Sequence, residues 1–159
     1  LYKRESMRRK NWEIGNVVEI ALKDGSFSYG AVIEEPLMIF SKNTYNVRPE
    51  ITLDIFNEIS FKIWVMKYAV GKKGWPIVGS LKLNQAISEK PIFYKYDIIA
   101  KKFFHCSGGN EEIPASFESC KGMECAAVWD PEHIESRLQD EKNNVANIWV
   151  ESLKAESHV

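Results

Sequence analysis

Cysteine is scarce in this 159-residue chain, with three at positions 106, 120 and 125. So small and odd a number excludes a disulfide scaffold and fits a reducing compartment. Long apolar runs are missing too: none approaches the roughly 18 residues of a membrane-spanning helix, and the start lacks the apolar stretch of a signal peptide. A cytoplasmic protein without membrane attachment is the expectation. Net charge is almost absent, at −1 from 21 basic and 22 acidic side chains. Bulk charge therefore draws no nucleic acid.

What the chain does have is 45% hydrophobic and 12% aromatic residues, enough to bury a core and to exclude disorder. The near-zero charge also conceals a polarity. Residues 1–110 hold 17 basic and 11 acidic side chains, whereas residues 111–159 hold 4 and 11. Five of the basic ones, Lys3, Arg4, Arg8, Arg9 and Lys10, fall in the first ten residues. That segment is expected to be disordered, and residues 11–159 are expected to form a single domain. Leu1 to Ser6 precede Met7, so these six are read as upstream or vector sequence.

Periodicity points to strands first. Residues 17–22 and 27–33 alternate around Asp24-Gly25, a pair that supplies the positive φ angles of a tight hairpin turn. Gly30, inside the second run, predicts a bulge or a close approach by other backbone. Residues 37–40, 59–70, 76–83, 91–96 and 101–106 are further strand-length runs, with 59–70 central, and residues 41–50 read as a loop. Asp130-Pro131 is an N-cap with proline at the first helical position, and Glu132 and Glu135 suit the positive end of the helix dipole. Ile134, Leu138, Val145, Ile148, Trp149 and Leu153 form one apolar stripe able to dock on a sheet, with Asn143-Asn144 as a possible break into two helices. The predicted fold class is α+β, predominantly antiparallel β in a twisted, partly closed sheet or barrel, with one or two C-terminal helices packed on it.

Candidate chemistry is thin. His105, Cys106, Cys120, Cys125 and His133 are the only soft-ligand cluster, and they lack the paired spacing of zinc modules. Cys106 has neither an orienting partner nor a glycine-rich elbow to make it a nucleophile. Gly71-Lys72-Lys73-Gly74 lacks phosphate-loop spacing. Adjacent carboxylates such as Glu34-Glu35 and Glu111-Glu112 point to opposite faces of a strand and cannot flank one bond. No catalytic residue, metal or cofactor is predicted. The basic N-terminus with Tyr29 or Trp64 as stacking platforms leaves a small nucleic-acid-binding β-barrel as the alternative.

Trp12, Gly15, the run 17–22, Asp24-Gly25, Tyr29-Gly30 and Val32, together with residues 128–138 and Asn147-Ile148-Trp149-Val150, carry a resemblance. They resemble the immunity protein 26 family of bacterial polymorphic toxin systems. The resemblance implies a mostly β cytoplasmic protein that binds a cognate toxin domain, often a nuclease, and blocks it without chemistry. On that reading the acidic residues Glu111, Glu112, Glu124, Asp130, Glu132, Glu135 and Asp140 are the candidate partner-binding surface, able to face a basic cleft. Trp75 and Tyr45, placed in loops, are the candidate exposed anchors. Whether the chain is a monomer or a homodimer stays open.

Overall fold

The computed structural model describes residues 11–107 and 111–159. The basic segment 1–10 lies outside the described residues. Backbone contacts sort the chain into two compact units, one built from residues up to Glu89 together with Val128–Val145, the other from Lys90–Ala127 and Ala146–Val159.

The first unit is a six-stranded sheet. Its strands are β1 (Asn16–Ala21), β2 (Phe27–Glu34), β3 (Leu37–Ser41), β4 (Ile59–Val65), β5 (Ile77–Ser80) and β9 (Val128–Trp129), in the order β5-β1-β2-β3-β4-β9. All neighbours are antiparallel except β4 and β9. The sheet is open and does not close into a barrel. The Asp24-Gly25 hairpin forms as the alternation predicts: Gly25 sits at φ +87°, and Leu22 N–H donates to Ser26 O at 2.9 Å. Gly30 sits where both a ring and a backbone come close: a Cβ there would lie 2.9 Å from the Phe40 ring and 3.3 Å from Ile39 O on the paired strand, and the register of that pair shifts between Val32 and Glu34.

Strands β1 and β3 are buried almost throughout rather than on alternate residues. Both faces of the sheet are covered. One face, with Phe40 and Phe61, takes helix α3 (Pro131–Lys142), which buries Ile134 and Leu138 and lays the Arg137 guanidinium 3.8 Å from the Phe61 ring centroid. Full burial of two such aliphatic side chains is worth about 1.5–3 kcal/mol each. The other face takes the 42–56 segment and the short helix α1 (Gln85–Ser88), whose last carbonyls Ala86 O and Glu89 O accept from Lys62 Nζ at 2.9 and 2.7 Å. Burial lowers the pKa of that amine.

Strand β4 stops at Val65 and gives way to a 3₁₀ turn at Lys67–Ala69, short of the predicted limit at residue 70. The predicted C-terminal stripe is shorter still. Asn143 caps α3 and Asn144 adopts φ 55°, which ends that helix; the next, α4 (Ile148–Ser152), is capped by Asn147 and belongs to the second unit. Val145 and Ile148 are consequently 59% and 71% exposed instead of docked, and Trp149 is exposed as well.

The second unit is a three-stranded antiparallel sheet, β6 (Phe93–Asp97), β7 (Lys102–Cys106) and β8 (Glu112–Ala115), in that order. Its core gathers Tyr94, Phe103, Cys120 and Ala155, with Tyr96, Phe117 and Met123 against them, and His158 stacks on Tyr96 at 4.3 Å. Tyr94 Oη donates to the Leu153 carbonyl, which ties the C-terminal segment to the sheet. Helix α2 (Phe117–Cys120) is capped by Ser116, whose Oγ accepts from Ser119 N–H at 3.1 Å. Strand β8 has no counterpart among the predicted runs: Glu112 opens a strand at the edge of this sheet. Pro114 sits opposite Phe104, and with no N–H to give it removes a donor from that edge, which discourages a further strand from adding there.

Candidate partner-binding surface

Helix α3 carries four of the predicted acidic residues. Asp130 caps it, accepting from Glu132 N–H at 2.9 Å, and also accepts from Tyr68 Oη at 2.5 Å. The tyrosine bond and the cap bond hold the Asp130 carboxyl below its usual range. Glu135 accepts from Trp75 Nε1 at 3.0 Å, so two predicted site residues meet directly. Glu141, on the same helix, accepts from Ser60 Oγ. Asp140 is half-buried, and Glu132 is exposed. Most of these carboxylates fasten the helix to its sheet, and Glu132 stands out from it.

Trp75 is not an exposed anchor. It is 5% exposed, packed edge-on against Phe40 at 5.8 Å. The reason is a closed loop: Trp75 N–H donates to Ala69 O at 2.7 Å and Gly71 N–H returns to Trp75 O at 3.0 Å, which turns the indole inward. Tyr45 is half-buried, with its backbone paired to Phe27 and its ring 5.8 Å from Tyr29. Tyr29 itself is fully buried and donates to Glu19 Oε1 at 3.0 Å, so it offers no face to a nucleic-acid base. Trp64 is half-buried.

The remaining predicted residues belong to the second unit. Glu111 is exposed just before β8, Glu112 pairs with Lys95 at 2.5 Å, and Glu124 is half-buried with its carbonyl accepting from Tyr94 N–H at 2.9 Å. The acidic third of the sequence is thus divided between the units. Among the described residues the first unit carries 10 basic and 14 acidic side chains, the second 6 and 7. The strong polarity along the chain becomes a mild acidity in each.

A polar cluster that sequence reasoning missed lies on the other face of the first sheet. Glu19, 9% exposed on β1, accepts from Tyr29 Oη and from Arg48 Nε at 2.8 Å, and the Arg48 guanidinium rests 4.4 Å from the Phe27 ring centroid. Burial and the neighbouring carboxylate raise the Tyr29 pKa, so the phenol keeps its proton. A single glutamate inside an apolar strand was the available signal, since a buried charge requires a partner. The arrangement pins the 42–50 loop to the sheet. It holds no nucleophile paired with a base, and among the described residues no group of three His, Cys, Asp or Glu side chains is placed to hold a metal ion. Cys106 and Cys120 are buried and Cys125 is partly so, its thiol pKa raised by burial. No helix among the described residues is long and apolar enough to cross a membrane.

The family model described as immunity protein 26 matches residues 13–105, which is more than half of the chain. The chain belongs to the immunity protein 26 family. The matched stretch takes in strands β1 to β6 and β7 up to His105, and so includes the Asp24-Gly25 hairpin; helix α3 and the acidic residues from Glu111 onward lie beyond it. Neither the comparison with curated proteins nor that with solved structures gave a match. Immunity protein 26 membership gives the chain an immunity function and implies a toxin as its partner.

Proposed function

We propose that this immunity protein neutralises its toxin by stoichiometric binding in the cytoplasm, without chemistry of its own. The family match over residues 13–105 carries the reading. The geometry supports it: the polar side chains brought together at α3 and around Glu19 are spent on fastening elements of the fold, leaving surface complementarity as the means of action. Of the candidate carboxylates, Glu132 in the first unit and Glu111 in the second are exposed, and each by itself can steer a basic toxin domain such as a nuclease.

The test mixes the purified chain with the toxin domain encoded in the adjacent reading frame. Toxin activity should fall in proportion to the immunity protein added and reach zero at equimolar amounts. Inhibition far below equimolar would mean turnover, and absence of binding would remove the reading. Glu132→Lys with Glu111→Lys should slow association at low salt and leave melting unchanged, because rim charges act mainly on the on-rate. Glu135 is unsuitable for this purpose, since its reversal would also break the bond to Trp75.

A further inference from the structure

The hairpin joining β6 to β7 ends in an unusual tip. Ile98 and Ile99 are 76% and 96% exposed, adjacent, and set in an ordered turn. Asp97 accepts from Ile99 N–H at 2.9 Å and from Ala100 N–H at 3.0 Å, and these bonds hold its carboxyl below the usual range. Lys101 follows at φ 55°, in the left-handed region where glycine sits more easily. Lys101 and Lys102 are both exposed, and neither has an ion pair among the described residues.

Single exposed apolar side chains need no explanation, and Ile14 and Val47 are of that kind. Two adjacent isoleucines at a turn are different, because turns of this sort normally carry polar residues. The tip is also already ordered, so burying it against a partner forfeits little conformational entropy. A solvent-facing apolar pair with charged neighbours, which loses its water only when a partner covers it, is the composition of an interface anchor. Two exposed lysines beside it, without an ion pair among the described residues, call for an acidic rim on whatever receives it.

We infer that the Ile98-Ile99 tip is a contact anchor that seats in an apolar socket rimmed by carboxylates on the toxin domain. The inference rests on the stoichiometric-binding reading above and names one surface through which it acts. The tip lies inside the stretch matched by the family, residues 13–105. A lipid surface fits less well, since a whole myristoyl chain gives only marginal membrane binding and two isoleucines bury less.

The experiment uses the full chain, wild type and Ile98→Ser/Ile99→Ser, titrated calorimetrically against the toxin domain of the adjacent reading frame. The double variant should bind at least about 30-fold more weakly with an unchanged melting temperature, the loss expected of a hot spot. Equal affinities would overturn the anchor and leave stoichiometric binding standing; a wild type that does not bind would overturn both. Should the double variant fail to fold, Lys101→Glu decides: several-fold weaker binding supports the acidic socket, and unchanged binding overturns it. Wild-type sedimentation with phosphatidylglycerol vesicles that the serine variant loses would overturn the protein socket in favour of lipid.

Discussion

The turn at residues 22–26 and the turn at residues 97–102 each rest on one aspartate. Asp24 accepts from Ser26 N–H at 2.9 Å and Ser26 Oγ at 2.6 Å; Asp97 accepts from Ile99 and Ala100 N–H at 2.9 and 3.0 Å. The first turn places Gly25 at φ +87°, the second Lys101 at φ 55°. Locally they are near equivalents. The difference arrives from far along the chain: Lys142 donates to Asp24 at 2.6 Å and Gln139 at 3.2 Å, so helix α3 is fastened across the first turn, although residues 23–25 stay exposed. Asp97 receives no side chain among the hydrogen bonds of the described residues. Turn chemistry thus decides that a hairpin forms, and long-range contacts decide whether its tip is fastened to the rest of the fold.

The largest effect that separates the two comes from the cover itself. Leu138→Ala should cost about 2–5 kcal/mol in chemical denaturation, by transfer and cavity terms, because Leu138 is 3% exposed on the buried face of α3. Ile99→Ala should stay within about 0.5 kcal/mol, as surface changes do. Similar losses at both positions would show that the second tip is held by the fold too. A smaller contrast lies in the backbone. Gly25→Ala should cost about 1 kcal/mol although nothing stands within 4 Å of the new Cβ, since the left-handed angle alone is unfavourable. Lys101→Gly should leave stability within about 1 kcal/mol of wild type, relief of strain offsetting added freedom in the unfolded chain. Thermal melts of the two variants decide it.

The first turn was legible in the sequence because Asp-Gly between alternating runs is a local signal. Helix α3 was legible for the same reason, with Asp130 and Pro131 marking its start. Features set by distant packing were not. The covering of both sheet faces erased the alternation expected of β1, and the inward turn of Trp75 depends on bonds to Ala69 and Gly71 that composition does not reveal. The acidic residues looked like one field because charge was counted along the chain, while the fold divides them between two units and engages Asp130, Glu135 and Glu141 internally. The second tip could have been found: two β-branched residues between Asp97 and Lys101, where a polar turn belongs, are an anomaly visible without coordinates.

The finest distinction between the turns is electrostatic. Lys142 is the main reason that the Asp24 carboxyl is held far below its ordinary range, with Ser26 next; for Asp97 the backbone donors Ala100 and Ile99 dominate. A carboxyl depressed in the folded state contributes stability that is fully present above its unfolded pKa of about 3.9 and is lost as pH falls through the lower folded value. Both turns therefore weaken only in acid, and Asp24 at a lower pH than an ordinary aspartate. Lys142→Ala should raise the Asp24 titration toward the ordinary range and leave Asp97 where it is, followed by carboxyl-carbon NMR shifts across an acid titration. The pair is partly exposed, so added salt should blunt the effect in wild type. If Asp24 titrates unchanged in the variant, the turn's own bonds suffice and the cover contributes packing alone; if Asp97 moves with it, the two turns are electrically linked and the contrast drawn between them fails.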